Sequence, residues 1–332
     1  MKFVIDQAIP FIEGVLEPYA EVVYRRGEDI CAEDVRDADA LVIRTRTRCN
    51  AALLDGSRVR LIATATIGFD HIDLDYCRTH GIEVSTAAGC NARGVLQWVA
   101  ATLALLAEHK NFRPEERTIG IVGVGNVGRL VKEYAKAWGF RTVCCDPPRE
   151  EREHCGFVGL DEVLRTADIV TLHVPLDDST RHLLNHSNIA LLRPDAIVIN
   201  ASRGEVVESE ALLLRGDVTC ALDVWEHEPH IDKRLLHKAF VATPHIAGYS
   251  AEGKANAAAL SVRALADRFG LPLGHWYPSG ISPTTPRDIG WSDMCRTIRH
   301  YCDLARESRE LKSHTEEFES LRNNYHYRNE YF

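Results

Sequence analysis

The chain has 332 residues, 45% apolar and 26% charged, which is the make-up of a folded globular protein and excludes a disordered or fibrous one. Its 39 basic and 48 acidic side chains leave a net charge of −9, which argues against nucleic acid or an anionic membrane surface as a protein-wide partner. The longest apolar run, 95–107, is broken by Gln97 and falls short of the ~20 residues a membrane helix needs, so no membrane association is expected.

Short apolar runs then alternate with helical spacing. Residues 2–5, 40–43, 60–64 and 82–85 are predicted strands, with helical patterns at 12–19 and 32–35 between them. Asp6 interrupts the N-terminal apolar stretch, so an export signal is not expected there. A nearly all-apolar helix at 92–109 leads into a second series, with strands at 118–122, 141–145, 169–172, 196–200, 218–222 and 240–243 and helices at 127–137 and 160–165. Alternation of this kind, with β-branched and nearly continuous apolar strands, predicts parallel sheets covered on both faces. An apolar helix at 251–269 would return the chain to the first domain. The expected division is 1–92 with 250–275, then 93–249, then a C-terminal region 276–332 opened by Pro278, Pro283 and Pro286. Ten cysteines without a CxxC pair read as free thiols of a reducing cytoplasm.

The run after residue 118 places Gly123, Gly125 and Gly128 in a GxGxxG pattern, with Asn126 and Val127 between the last two. The pattern is weak alone, but here it follows a strand and opens a helix, as dinucleotide binding requires. Gly123 permits the tight turn, Gly125 the approach of a pyrophosphate, and Gly128 the close packing of helix on strand. Asp146 ends the next strand 18 residues after Gly128 and can accept the ribose hydroxyls, which favours NAD over NADP.

Hydride transfer from a hydroxy acid also needs a base, a cation for the carboxylate and a group that orients the base. Three loops at the ends of predicted strands carry these types: Asn200–Gly204, Asp223–Pro229 and Thr243–Tyr249. Glu226, His227, Glu228 and His230 have the look of a metal cluster, but Pro229 and the short spacing suit a turn, so no metal is expected. Arg44-Thr45-Arg46-Thr47-Arg48 is a dense basic cluster after the strand at 40–43, suited to a phosphoester, with Arg44 and Thr45 the better candidates. A solvated basic loop is its ordinary alternative.

The motifs GIVGVGNVG, DPP, INASRGEVV, LDVWEHEP and TPHIAGYS together resemble the D-2-hydroxyacid dehydrogenase family. TATIGFDHID, AAGCNA and FESLRNNY extend the resemblance toward a branch that takes a phosphorylated hydroxy acid. The resemblance implies two doubly wound parallel-sheet domains, a flavodoxin-like substrate domain and a Rossmann NAD domain, plus a short C-terminal α+β dimerisation region. It implies a homodimer with NAD as cofactor. Carried over position by position, it makes His245 the proton donor and acceptor, Glu228 its carboxylate partner, and Arg203 the group that binds the substrate carboxylate. Asp146, Val174, Ala201, Ser202, Arg203, Asp223 and Gly248 fall on cofactor-contacting positions beside the glycine loop, and Thr45, Thr66 and Tyr249 on substrate-contacting ones. Val174 stands where a Thr is expected and Gln97 where a Glu is expected, and the chain stops soon after FESLRNNY. A relative acting on phosphoglycerate or another 2-hydroxy acid remains an alternative. So does a non-catalytic NAD-sensing scaffold, against which the joint presence of Arg203, Glu228 and His245 argues.

Overall fold

In the N-terminal sheet every residue of two central strands is buried, which requires cover on both faces. The computed structural model describes residues 1–332 and divides into two units: Met1–Asn91 with Ala251–Pro283, and Ala92–Ser250 with Thr284–Phe332. The first unit holds a wholly parallel sheet of β1 (Lys2–Asp6), β2 (Glu21–Arg25), β3 (Ala40–Ile43), β4 (Leu61–Thr64) and β5 (Glu83–Thr86), in the order β2-β1-β3-β4-β5. Because successive strand residues point to opposite faces, Phe3, Ile5, Val42 and Leu61 pack with Ala258, Val262 and Leu265 of the helix Ala251–Phe269. Val4, Leu41, Ile43 and Ile62 pack on the other face with Val35, Leu53 and Leu54. Full burial of such side chains stabilises by about 1.5–3 kcal/mol each.

Two features of this unit depart from expectation. Residues 12–19 are a series of turns and not a helix: Gly14 takes φ +81°, and the closures run Val15 N–H to Ile12 O and Tyr19 N–H to Leu16 O. Pro10 precedes them and Pro18 falls within them, and Ile12 and Leu16 still reach the core. The strand β2 is the second departure. It lies at the sheet edge with both end residues exposed, so its apolar signal is only three residues long.

The second unit holds β6 (Thr118–Val122), β7 (Arg141–Cys145), β8 (Ile169–Leu172), β9 (Ile197–Asn200), β10 (Thr219–Leu222) and β11 (Val241–Ala242), all parallel, in the order β11-β10-β9-β8-β6-β7. The chain order reverses between β6 and β8, the point beyond whose C-terminal ends doubly wound sheets bind ligands. The helix Ala92–Lys110 is buried along most of its length, with Trp98 donating to Thr243 Oγ1 at 3.0 Å. Gln97 is fully buried and its Oε1 accepts from the Tyr331 N–H at 2.9 Å, so a neutral amide at this position serves the C-terminal segment.

The region 276–332 does not stand apart as an α+β piece. Residues 284–332 fold with the second unit as the helices Trp291–Tyr301, Leu304–Ser313 and Phe318–Asn323, and the β content is one isolated bridge, Ser250 to Arg328. Burial explains the docking. Phe332 is fully buried beside Tyr134 and Trp138, and the buried Arg328 guanidinium donates to the carbonyls of Gly94, Ile246 and Ala247.

Candidate active site

The glycine loop joins β6 to the helix Asn126–Trp138. Gly123 takes φ +84°, and a Cβ there would lie 2.7 Å from the His173 carbonyl and 2.8 Å from Val174 Cγ1. A Cβ on Gly128 would lie 2.0 Å from the Gly123 carbonyl oxygen, so the helix start needs glycine as well. Gly125, directly before Asn126, meets nothing within 4 Å, so the protein's own packing does not require glycine there. Asn126, Val127 and Gly128 form the first turn of the helix, whose N–H groups and dipole suit a pyrophosphate.

Asp146 closes the other side of this loop. Its Oδ2 accepts from the Val124 N–H at 2.7 Å, and its Oδ1 caps the helix Pro147–Glu153 by accepting from the Arg149 N–H at 3.0 Å. Arg149, three residues on, is bound to Glu153 at 2.7 Å and to the Val124 carbonyl at 2.7 Å. That leaves the neighbourhood of Asp146 suited to ribose hydroxyls and unsuited to a 2′-phosphate. A dinucleotide fits these residues: the loop excludes side chains where a pyrophosphate would lie, and a carboxylate stands at its ribose end.

Three adjacent strands, β9, β10 and β11, are followed at their C-terminal ends by the loops that carry Arg203, Glu228 and His245. After β9, Asn200 organises the turn that carries Arg203. Its Oδ1 accepts from the Ser202 N–H and hydroxyl, and its amide donates to the Arg203 carbonyl at 2.9 Å. Ser202 thus directs its hydroxyl inward, and Ala201 and Arg203 remain half-buried on the loop. Gly204 explains the path, since a Cβ there would sit 1.9 Å from the Trp225 carbonyl carbon.

After β10, Asp223 is buried and accepts from the Thr243 hydroxyl at 2.5 Å and from the Ile246 and Ala247 N–H groups at 2.8 Å each. Burial pushes its carboxyl up, against the His245 charge and these bonds, which favour ionisation. The carboxylate therefore shapes the loop 243–248 that presents His245 and Gly248. His245 itself has φ +58°, with its N–H donated to the Asp223 carbonyl.

His245 Nδ1 lies 2.8 Å from Glu228 Oε2, and Glu228 Oε1 accepts from the Trp225 N–H at 3.0 Å. Burial opposes ionisation of Glu228, but His245, Arg322 and the Trp225 bond outweigh it and hold the carboxyl below its ordinary value. With Nδ1 engaged by a carboxylate, any proton exchange by this ring would run through Nε2. The preceding Glu226 points away from this pair, bonding His182 at 2.7 Å and the Ser209 N–H at 2.8 Å.

Tyr249 accepts from Arg322 Nε at 3.2 Å and lies edge-on to Tyr325 and Tyr327. The sequence does not single out Arg322, although FESLRNNY contains it; nothing in a charged helical stretch marks one arginine as facing Glu228. The supporting roles of Gly204 and Thr243 are equally hidden in the sequence, because what they touch lies on other loops and elements.

In the first unit, Arg44 and Thr45 follow β3, with Arg44 Nη1 donating to the Ala8 carbonyl at 3.2 Å and Thr45 exposed. Thr47 turns inward onto the Gly27 carbonyl, while Arg46 and Arg48 are exposed. Thr66, just past β4, shares a 2.6 Å bond with Thr64 and donates to the Gly68 carbonyl.

A doubly wound sheet with this glycine loop and an acid just after the following strand is the arrangement of a dinucleotide-binding domain. The chain belongs to the D-isomer-specific 2-hydroxyacid dehydrogenase family, whose NAD-binding domain it matches over residues 97–247, and it is an NAD-dependent enzyme of that family. It is 44% identical to an erythronate-4-phosphate dehydrogenase of Bacteroides thetaiotaomicron over 99% of this chain and 97% of that one. It is 42% identical to one of Ectopseudomonas mendocina over 90% of this chain and 83% of that one. Among solved structures, an NAD⁺-bound 3-phosphoglycerate dehydrogenase of Entamoeba histolytica superposes with a TM-score of 0.69 at 24% identity, covering 82% of this chain and 97% of that one, which shows the shared fold.

Proposed function

We propose that the chain oxidises 4-phospho-D-erythronate to (R)-3-hydroxy-2-oxo-4-phosphobutanoate with NAD, as a step of pyridoxal 5′-phosphate synthesis. Near-complete coverage of relatives named for that substrate supports the choice of substrate. The 2.8 Å His245–Glu228 pair is the observation that carries the chemistry. Bound NAD supplies the hydride acceptor for the substrate's C2. Arg203 takes the carboxylate with its planar guanidinium, in a geometry Lys cannot reproduce. His245 Nε2 removes the C2 hydroxyl proton, and Glu228 keeps Nδ1 protonated and the ring oriented. Arg44 and Thr45 bind the phosphate, with Thr66 and Tyr249 completing the substrate contacts. Gly123, Gly125, Asn126, Val127 and Gly128 hold the pyrophosphate, Asp146 the ribose, and Val174, Ala201, Ser202, Asp223 and Gly248 line the remainder. The enzyme works as a cytoplasmic homodimer, a reading supported by the family resemblance and, for the compartment, by a cysteine spacing without a CxxC pair.

The test is NADH formation by the purified protein with 4-phospho-D-erythronate, beside 3-phospho-D-glycerate and D-lactate, each with and without a 2-oxo acid acceptor. Strong preference for the first substrate is expected. Activity on phosphoglycerate alone would keep the chemistry and replace the substrate, and silence with all three despite NAD binding would favour a non-catalytic scaffold. Light scattering of the same sample reads the dimer.

A further inference from the structure

The helix Phe318–Asn323 brings one arginine to the pair on which the proposed chemistry rests. Arg322 Nη1 lies 3.7 Å from Glu228 Oε2, the same oxygen that meets His245 Nδ1 at 2.8 Å, and Arg322 Nε donates to the Tyr249 hydroxyl at 3.2 Å. Its side chain is only 24% exposed, and Glu228's 18%. A surface arginine would swing into water, whereas this one is held between a carboxylate and a phenol.

We infer that Arg322 is a positioning residue of the hydride-transfer site, bridging Glu228 to Tyr249 so that the C-terminal segment governs both the orientation of His245 and the placement of the substrate-contacting tyrosine. This rests on the proposed roles of His245, Glu228 and Tyr249. It differs from a structural ion pair in what it acts on, because the oxygen it faces is the one that orients the imidazole.

The titratable and charged groups around the pair are few. Glu228 itself faces His245 and Arg322, and Tyr249 faces Arg322. Asp223, from the end of β10, acts electrostatically on His245 and on Arg322. Arg322 is thus the cation that offsets the carboxylates beside the ring. Burial alone would push the Glu228 carboxyl up, and Arg322 is one of the charges that reverse this. Removing it raises the proton affinity of the pair, so as pH falls the form competent to accept the alcohol proton is lost at a higher pH.

The experiment compares Arg322→Gln, Arg322→Lys and His245→Ala in the full-length protein with 4-phospho-D-erythronate and NAD. It reads pH profiles of kcat/KM, KM and kcat at neutral pH, NADH affinity and thermal unfolding. For Arg322→Gln the expected result is a loss in kcat/KM of roughly 10–100-fold and an acid limb moved up by about one pH unit, with NADH affinity unchanged. Arg322→Lys should restore the acid limb and keep a raised KM, since one ammonium cannot hold Glu228 and Tyr249 together. An Arg322→Gln enzyme with the parent pH profile and kcat/KM overturns the inference. Should that variant fail to fold, Arg322→Lys decides: a parent-like KM overturns it, and a raised KM with the parent acid limb supports it. His245→Ala separates the two layers. If it turns over normally, the reading of the pair has failed; if it collapses while the arginine variants match the parent, only the role of Arg322 has.

Discussion

In the proposed reaction a single imidazole carries the proton chemistry, and three features set His245 apart from a solvated loop histidine. Its backbone is fixed by an N–H bond to the Asp223 carbonyl, its Nδ1 is held by Glu228, and the loop around it hangs on the buried Asp223 carboxylate. His245→Ala should therefore cut turnover by roughly 10²–10⁴-fold with NADH binding retained, measured by steady-state kinetics beside fluorescence titration. Loss of cofactor binding would instead make the residue structural. Glu228 also leaves a thermodynamic trace. Its folded-state carboxyl is held below the ordinary value, so its ionised form stabilises the fold at neutral pH, and that contribution disappears as pH falls through the folded value. The advantage in thermal midpoint of the parent over Glu228→Gln should accordingly be greatest near pH 7 and shrink below about pH 4. A gap independent of pH would mean that shape, and not charge, is what Glu228 contributes.

Among the elements, the glycine loop and its acidic neighbour act as one unit. Asp146 directly follows β7, caps the next helix and accepts from Val124 inside the glycine loop, so one carboxylate ties two strand ends together before any ligand arrives. Asp146→Ala should weaken discrimination against NADP and also lower stability by about 1 kcal/mol through the lost cap. Kinetics with both cofactors and chemical denaturation read the two effects separately, and an unchanged cofactor preference would place selectivity elsewhere. This loop is legible in the sequence because strand, glycines, helix and acid follow one another along one short stretch of chain. The strands β3 and β6 to β10 are legible for a similar reason, each being a short apolar run bounded by turn residues. What escapes depends on neighbours far along the chain or on backbone conformation. The edge strand β2 borrows its pairing from β1, the turns at 12–19 are dictated by Gly14 at positive φ, and Arg322 acquires its role only when residues 318–323 meet a loop far earlier in the chain.

Over the whole molecule, charge sets a problem that the basic loop after β3 answers. A chain of net charge −9 repels a substrate bearing both a carboxylate and a phosphate, and long-range repulsion slows encounter most at low salt. Against that background Arg44, Arg46 and Arg48 are concentrated in one short loop, and the field of the first two reaches Glu28: its own backbone N–H, and then Arg26, Arg46 and Arg44, hold that carboxyl below its ordinary value. Arg44 is the one of the three partly buried and braced by the Ala8 carbonyl, which fixes its guanidinium in place at the strand end. Arg44→Gln should therefore raise KM for 4-phospho-D-erythronate about 10-fold or more, the worth of a charge-assisted hydrogen bond, with kcat little changed. Added salt screens both the long-range repulsion and the contact with Arg44, so the parent's KM should respond to salt more unfavourably than the variant's. A variant that lost kcat at constant KM would assign Arg44 to the reacting end of the substrate and leave the phosphate to other residues.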